Sequence, residues 1–167
     1  MMEGDFYIGV NGGHSKSIAF VMDKNFGVLS AVKGDSLNTH TFPLEQVTLR
    51  FETLLLKLAD KIQLSPLELQ NRTLKLVLSM PGAATEEDQA ITDACLCMAG
   101  WRETEQYSIV DDTWAGLVAG AFLYNGTCAF AGTGASVYTC VNEEVNGSQK
   151  FHAKPNKIDG CLCRIRG

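Results

Sequence analysis

The sequence predicts an α/β fold in which one mixed sheet carries helices on its faces. Three observations lead there. The chain opens with three short apolar runs separated by turn residues. Apolar stripes at helical spacing then alternate with further apolar runs. Near residue 132 a glycine turn sits between two more runs, as at the opening of a second domain.

Phe6 to Val10, Ser17 to Met22 and Val28 to Val32 are the opening runs. Asn11 to His14 and Asp23 to Gly27 turn the chain between them, so an antiparallel meander is expected. From Leu44 the period changes. Val47, Phe51, Leu54, Leu55, Leu58 and Ile62 form one helical stripe. Ser65-Pro66-Leu67-Glu68 is a capping box with Pro at the first helical position, which starts a short helix. Leu74 to Leu78 reads as a buried strand. Thr85-Glu86-Glu87-Asp88 begins another helix, with acids at the positive end of its dipole, and Gly100 ends it. Tyr107 to Val110 is a strand. Trp114, Leu117, Val118, Ala121 and Phe122 mark a further helix, on which Gly116 and Gly120 would permit close packing. Thr127 to Ala131 and Ser136 to Val141 form a hairpin around Gly132-Thr133-Gly134. The order is β-β-β-α-β-α-β-α, then β-β. The expected domains are 1–125, with a five-stranded sheet, and 126–167, the start of a second domain with a basic tail.

Composition narrows the function classes. Of 167 residues, 46% are hydrophobic and 20% charged, which excludes wholesale disorder. No apolar run reaches the roughly 18 residues that a membrane span needs. Met1-Met2-Glu3-Gly4-Asp5 is acidic where a signal peptide would be basic, so a cytoplasmic protein is expected. The formal net charge is −5. From Gln149 onward five basic residues face the single acid Asp159, and the rest of the chain is strongly acidic. An acidic body argues against nucleic-acid binding. Cys95, Cys97, Cys128, Cys140, Cys161 and Cys163 include two C-x-C pairs, not the C-x2-C of zinc sites, and are expected as thiols in the core. The sequons at Asn71, Asn125 and Asn146 carry no meaning without export.

Three loops hold chemistry. In Val10-Asn11-Gly12-Gly13-His14-Ser15-Lys16-Ser17 two glycines let the backbone turn sharply and present N–H groups to an anion. Ser15 adds a hydroxyl and Lys16 a positive charge. A plain glycine hairpin is the competing reading. Ala131-Gly132-Thr133-Gly134-Ala135-Ser136 repeats the pattern after another apolar strand. In Val110-Asp111-Asp112-Thr113 one carboxylate caps a helix, and the other can accept a proton from a hydroxyl nucleophile where it faces a cleft.

The element order and these loops resemble the ribonuclease-H-like half of the actin-type ATPases. Within that superfamily they resemble the N-acetylglucosamine kinase branch of the BadF/BadG-type ATPase family. Tyr7-Ile8-Gly9-Val10-Asn11-Gly12-Gly13-His14-Ser15-Lys16-Ser17 is similar to the family's first phosphate motif, G-V-(D/E)-G-G-G-T-(K/R)-(S/T). Gly34-Asp35-Ser36-Leu37-Asn38-Thr39-His40 resembles its G-x-S/T-x-N segment, and Ser79-Met80-Pro81-Gly82 its next substrate-side turn. Asp112 matches the (N/T)-D-A position, and Gly132-Thr133-Gly134-Ala135-Ser136 the second phosphate motif, G-T-G-S. The resemblance implies ATP and Mg2+ as cofactors and an amino sugar as acceptor. Gly12, Gly13, Ser15, Lys16, Gly132, Thr133, Gly134 and Ser136 would hold the nucleotide. Asn38, Thr39, Gly82 and Asp112 would hold the sugar, with Asp112 as general base.

Departures are visible. Asn11 stands where the family has an acid that helps hold magnesium, and a neutral amide is a poor ligand for a hard cation. His14 replaces the third glycine, and Trp114 a small residue beside Asp112. The family's G-D-E-G-S segment and adenosine pocket have no counterpart before Gly167. The expectation is therefore the N-terminal part of an amino-sugar kinase, inactive alone, with self-association through the uncovered edge near Thr127 to Val141. The alternative is a catalytically dead sugar-sensing or scaffold module. A third reading is a dehydratase-activator relative with an iron–sulfur cluster on Cys128, Cys140, Cys161 and Cys163, whose spacing fits poorly.

Overall fold

A computed structural model describes residues 5–81, 83, 85–101, 106–121, 126–131, 135–145 and 148–154. They fall into two compact units, Met1–Asp112 and Thr113–Gly167.

The first unit begins with the meander β1 (Phe6–Asn11), β2 (Lys16–Asp23) and β3 (Val28–Asp35). Its second turn is closed by the Asp23 carboxylate, which accepts from the N–H groups of Asn25 at 2.8 Å and Gly27 at 2.9 Å. Helix α1 (Leu44–Lys61) buries Val47, Phe51, Leu54, Leu55 and Leu58 of the stripe visible in the sequence and adds Thr48 and Ala59, while Ile62, half-buried, is its C-cap. The short helix α2 (Pro66–Asn71) starts at a complete capping box. Ser65 Oγ accepts from Glu68 N at 3.2 Å, and the Glu68 carboxylate accepts from Ser65 N at 2.8 Å.

Strand β4 (Thr73–Met80) follows, then α3 (Glu86–Met98) and β5 (Tyr107–Asp111). Thr85 caps α3 by accepting from Asp88 N at 3.1 Å. At the other end Gly100 has φ +88°, and Gly100 N and Trp101 N donate to the carbonyls of Cys97 and Leu96. This left-handed glycine cap satisfies the last carbonyls and carries Trp101, 2% exposed, down onto the core.

The sheet order is β3-β2-β1-β4-β5. β1 is antiparallel to β2, and β2 to β3, while β1/β4 and β4/β5 are parallel. Strands β1, β3, β4 and β5 therefore end at the same side of the unit, where β2 begins. One sheet face presents Ile8, Val10, Ala19, Val21, Leu76 and Leu78 to the core. Helices α1 and α3 lie next to one another, and α1 packs on β2 and β3. On the opposite face Phe20 covers its cross-strand partner Gly9, where an added Cβ would lie 2.2 Å from Phe20 Cζ.

The second unit takes in nearly all of α4 (Asp112–Ala121), whose first residue closes the first unit, and a three-stranded antiparallel sheet. Its strands are β6 (Gly126–Ala131), β7 (Ala135–Val145) and β8 (Ser148–Lys154), in the order β6-β7-β8. The expected hairpin is present. The basic stretch read as a tail contributes a third strand, with Lys150 in register with Glu143 and His152 with Val141. A Cβ on Gly120 would meet nothing within 4 Å among the described residues, so close packing there finds no support.

Candidate functional site

Open α/β sheets place ligands at the carboxyl ends of their strands, where neighbouring connections diverge. Here the chain leaves β1 toward β2, whereas β4 leads toward β5. Register puts Asn11 beside Ser79 across β1/β4, Met80 beside Asp111 across β4/β5, and Lys16 beside Asp35 across β2/β3.

The turn after β1 is held by its glycines. Gly12 is buried, and its N–H donates to the Ser79 carbonyl at 2.8 Å. A Cβ there would lie 2.3 Å from Met80 Sδ and 3.1 Å from Leu37 Cβ. At Gly13 a Cβ would lie 2.9 Å from the Lys16 carbonyl. Both positions thus have a steric need for glycine that is independent of any ligand. The backbone N–H groups of Gly13, His14 and Ser15 make no hydrogen bond to the described residues, and Ser15 and Lys16 are exposed. This donor set fits an anion.

The Ser36–Phe42 segment is bonded onto that turn. Ser36 Oγ donates to the Gly13 carbonyl at 3.1 Å and accepts from Asn38 N at 3.2 Å. Asn38 is 2% exposed. Its Oδ1 accepts from His40 N at 2.9 Å, and its Nδ2 lies 2.5 Å from His14 Nδ1. Thr39, half-buried, sits between Asn38 and His40. Helix α1 braces the segment: Arg50 Nη1 donates to the Ser36 carbonyl at 2.9 Å, and the guanidinium lies 3.9 Å from the Phe42 ring centre. A groove of about 280 Å³ opens on the α1 side, lined by Gly34, Asp35, Gln46, Arg50, Thr53 and Lys57.

Asp111 ends β5 and Asp112 opens α4, both half-buried and both engaged in interactions. A carboxylate at the first turn of a helix is favoured by the dipole. Asn11 is exposed at the end of β1. The described residues contain no group of three or more His, Cys, Asp or Glu able to hold a metal ion. Magnesium that arrives with phosphates needs only one or two carboxylates. At this end Asp35, Asp111 and Asp112 are of the right chemistry, whereas Asn11 is not.

The structure thus bonds Gly13 and His14 of the turn to Ser36 and Asn38, with Asn11 beside Ser79, Lys16 beside Asp35 and Asp111 at the same end of the sheet. Gly82 lies outside the described residues, as do Gly132, Thr133 and Gly134, Cys161 and Cys163. Ser136 is the second residue of β7, in register with Phe130 of β6. Three contributors were missing from the sequence reading: Ser36 as a bridge, Arg50 as a brace, and His14 as the partner of Asn38. The polar alternation Ser36-x-Asn38-x-His40 is a local signal for Ser36, whereas nothing local marks Arg50 or His14 in these roles.

Away from this end, the Tyr107 hydroxyl donates to the Asp93 carboxylate. Burial first, and that bond second, push the phenol well above its ordinary range. Desolvation likewise raises the Cys95 thiol, as befits an inert core cysteine. No helix among the described residues is long and apolar enough to cross a membrane.

The architecture is the ribonuclease-H-like fold of the actin-type ATPases. Among solved structures the chain is similar to two proteins assigned as N-acetylglucosamine kinases. With that of Chromobacterium violaceum it shares 14% identity at a TM-score of 0.63, over 89% of this chain and 48% of the other. With that of Porphyromonas gingivalis the figures are 12%, 0.65, 88% and 46%. The ethanolamine utilization protein EutJ of Carboxydothermus hydrogenoformans matches at 14% identity and a TM-score of 0.54, over 92% and 53%. The chain spans about half the length of these proteins. At such identities the likeness establishes the fold alone. No family model matches the sequence, and no curated protein does.

Proposed function

We propose that this chain supplies the sugar-binding and first phosphate-binding part of an amino-sugar kinase of the actin-type ATPase fold, with N-acetylglucosamine as the acceptor. The supporting observation is the direct bonding of the Asn38 segment onto the Gly12–Gly13 turn, at the end of the sheet where β5 delivers Asp111 and Asp112.

In this reading Asn38 and Thr39 orient the sugar. Asp112 accepts the proton of the attacking hydroxyl on a carboxylate oxygen. Lys16 and the N–H groups of Gly13, His14 and Ser15 offset negative charge on a phosphate. Gly132, Thr133, Gly134 and Ser136 are proposed as a second phosphate-binding segment. Mg-ATP supplies the transferable phosphoryl group when bound, in a reaction governed by positioning and electrostatics. The 167-residue chain is expected to bind the sugar.

A second reading, a sugar-binding module that has lost ATP use, is favoured by Asn11, which brings no charge to the turn, and by the imidazole of His14 within it. Backbone NMR titration separates the two. A kinase half responds to N-acetylglucosamine at Asn38, Thr39 and Asp112, and to Mg-ATP at Gly12 to Lys16. A module without ATP use responds to the sugar alone. A lack of response to the sugar at those residues contradicts both.

A further inference from the structure

The orientation of the Asn38 amide is fixed by its neighbours. Oδ1 accepts from His40 N at 2.9 Å, so the group 2.5 Å from His14 Nδ1 is the Nδ2 donor. Nδ1 of His14 then accepts from that donor through its lone pair, in the tautomer that carries hydrogen on Nε2. Asn38 is 2% exposed, whereas His14 is exposed on an otherwise glycine-rich turn. The ring is therefore the outer member of the pair.

We infer that His14 is a latch on the site: its imidazole occupies the Asn38 amide in the place of a ligand oxygen, and a ligand reaches Asn38 by displacing the ring. This rests on the reading of Asn38 as a ligand contact. The exchange is one hydrogen bond for another. A hydroxyl or an amide carbonyl can accept from Nδ2 as the imidazole does, and an apolar group cannot. The latch thus selects for ligands that bring an acceptor oxygen to Asn38. A released side chain on an exposed turn regains its rotamers, so the latch is weak and readily opened. Its worth is that of one net hydrogen bond, about a factor of ten in affinity.

Two variants and two readouts test this. His14→Ala removes the ring, and His14→Gln keeps an acceptor on a side chain of similar reach. Hydrogen exchange of the Asn38 side-chain amide is followed by NMR, and N-acetylglucosamine binding by calorimetry. The latch requires slow exchange in the wild-type chain and in His14→Gln. It requires exchange at least about tenfold faster in His14→Ala, with sugar binding about tenfold tighter. Equal exchange in the wild-type chain and His14→Ala overturns the latch whatever the sugar does. Where the wild-type chain binds the sugar, an affinity that is unchanged or lower in His14→Ala also overturns it. Exchange released by His14→Ala, with no sugar bound by any of the three proteins, upholds the latch and overturns the amino-sugar reading instead.

Discussion

The N–H of Gly12 donates to the carbonyl of Ser79 at 2.8 Å, which ties the turn after β1 to the end of β4. The bond is possible because nothing projects from Gly12 toward Met80 Sδ or Leu37 Cβ. The methionine sulfur can swing aside, but Leu37 Cβ is fixed to the backbone. Gly12→Ala is therefore expected to cost about 1–3 kcal/mol through overpacking. Urea denaturation measures it as a lower midpoint with an unchanged slope.

Gly9 and Phe20 form the second close pair, on the opposite sheet face. A Cβ on Gly9 would lie 2.2 Å from Phe20 Cζ. Gly9→Ala is expected to destabilise the wild-type chain by about 1–3 kcal/mol. In a Phe20→Ala background the same substitution should cost less than about 0.5 kcal/mol, since the clash has gone. A double-mutant cycle measures the difference as coupling.

The Tyr107 phenol is raised above its unfolded value of about 10. The folded state therefore favours the neutral form. Its contribution is full below about pH 10 and is lost as pH climbs toward the folded value. Stability is expected to fall above about pH 10, and Tyr107→Phe should flatten that limb. Phenolate absorbance should show one of the four tyrosines ionising only as the chain unfolds.

At α2 the Ser65 hydroxyl and backbone N–H hold the Glu68 carboxyl below its usual range. A lowered acid stabilises above its unfolded value, about 4.3, and that stabilisation is lost as pH falls below it. Ser65→Ala is expected to speed amide exchange at Leu69 and Gln70 near pH 6. The effect should shrink at the acid end of the accessible range.

Much of the first unit was legible because its signals are local. The α1 stripe, the Ser65 box, the Thr85 cap and the Gly100 stop each act within a turn or two of chain, and each appears where the sequence placed it. Strand β8 was not legible. Ser148 to Lys154 has a weak apolar alternation, and it becomes a strand through pairing with β7. The site divides the same way. Its glycine turn, its asparagine segment and its acids could be read one by one. What joins them spans long separations: His14 to Asn38 over 24 residues, Gly13 to Ser36 over 23 and Ser36 to Arg50 over 14. His14 looked like an intrusion into a glycine motif, and only folding reveals its partner.

Calorimetric titration of the 167-residue chain with N-acetylglucosamine, set beside Asp112→Asn, tests the central claim most directly. Saturable binding by the wild-type chain is expected, with at least about tenfold weaker binding by the variant, the loss of one charge-assisted hydrogen bond. Equal affinities in the two proteins, or no binding by the wild-type chain, would contradict it.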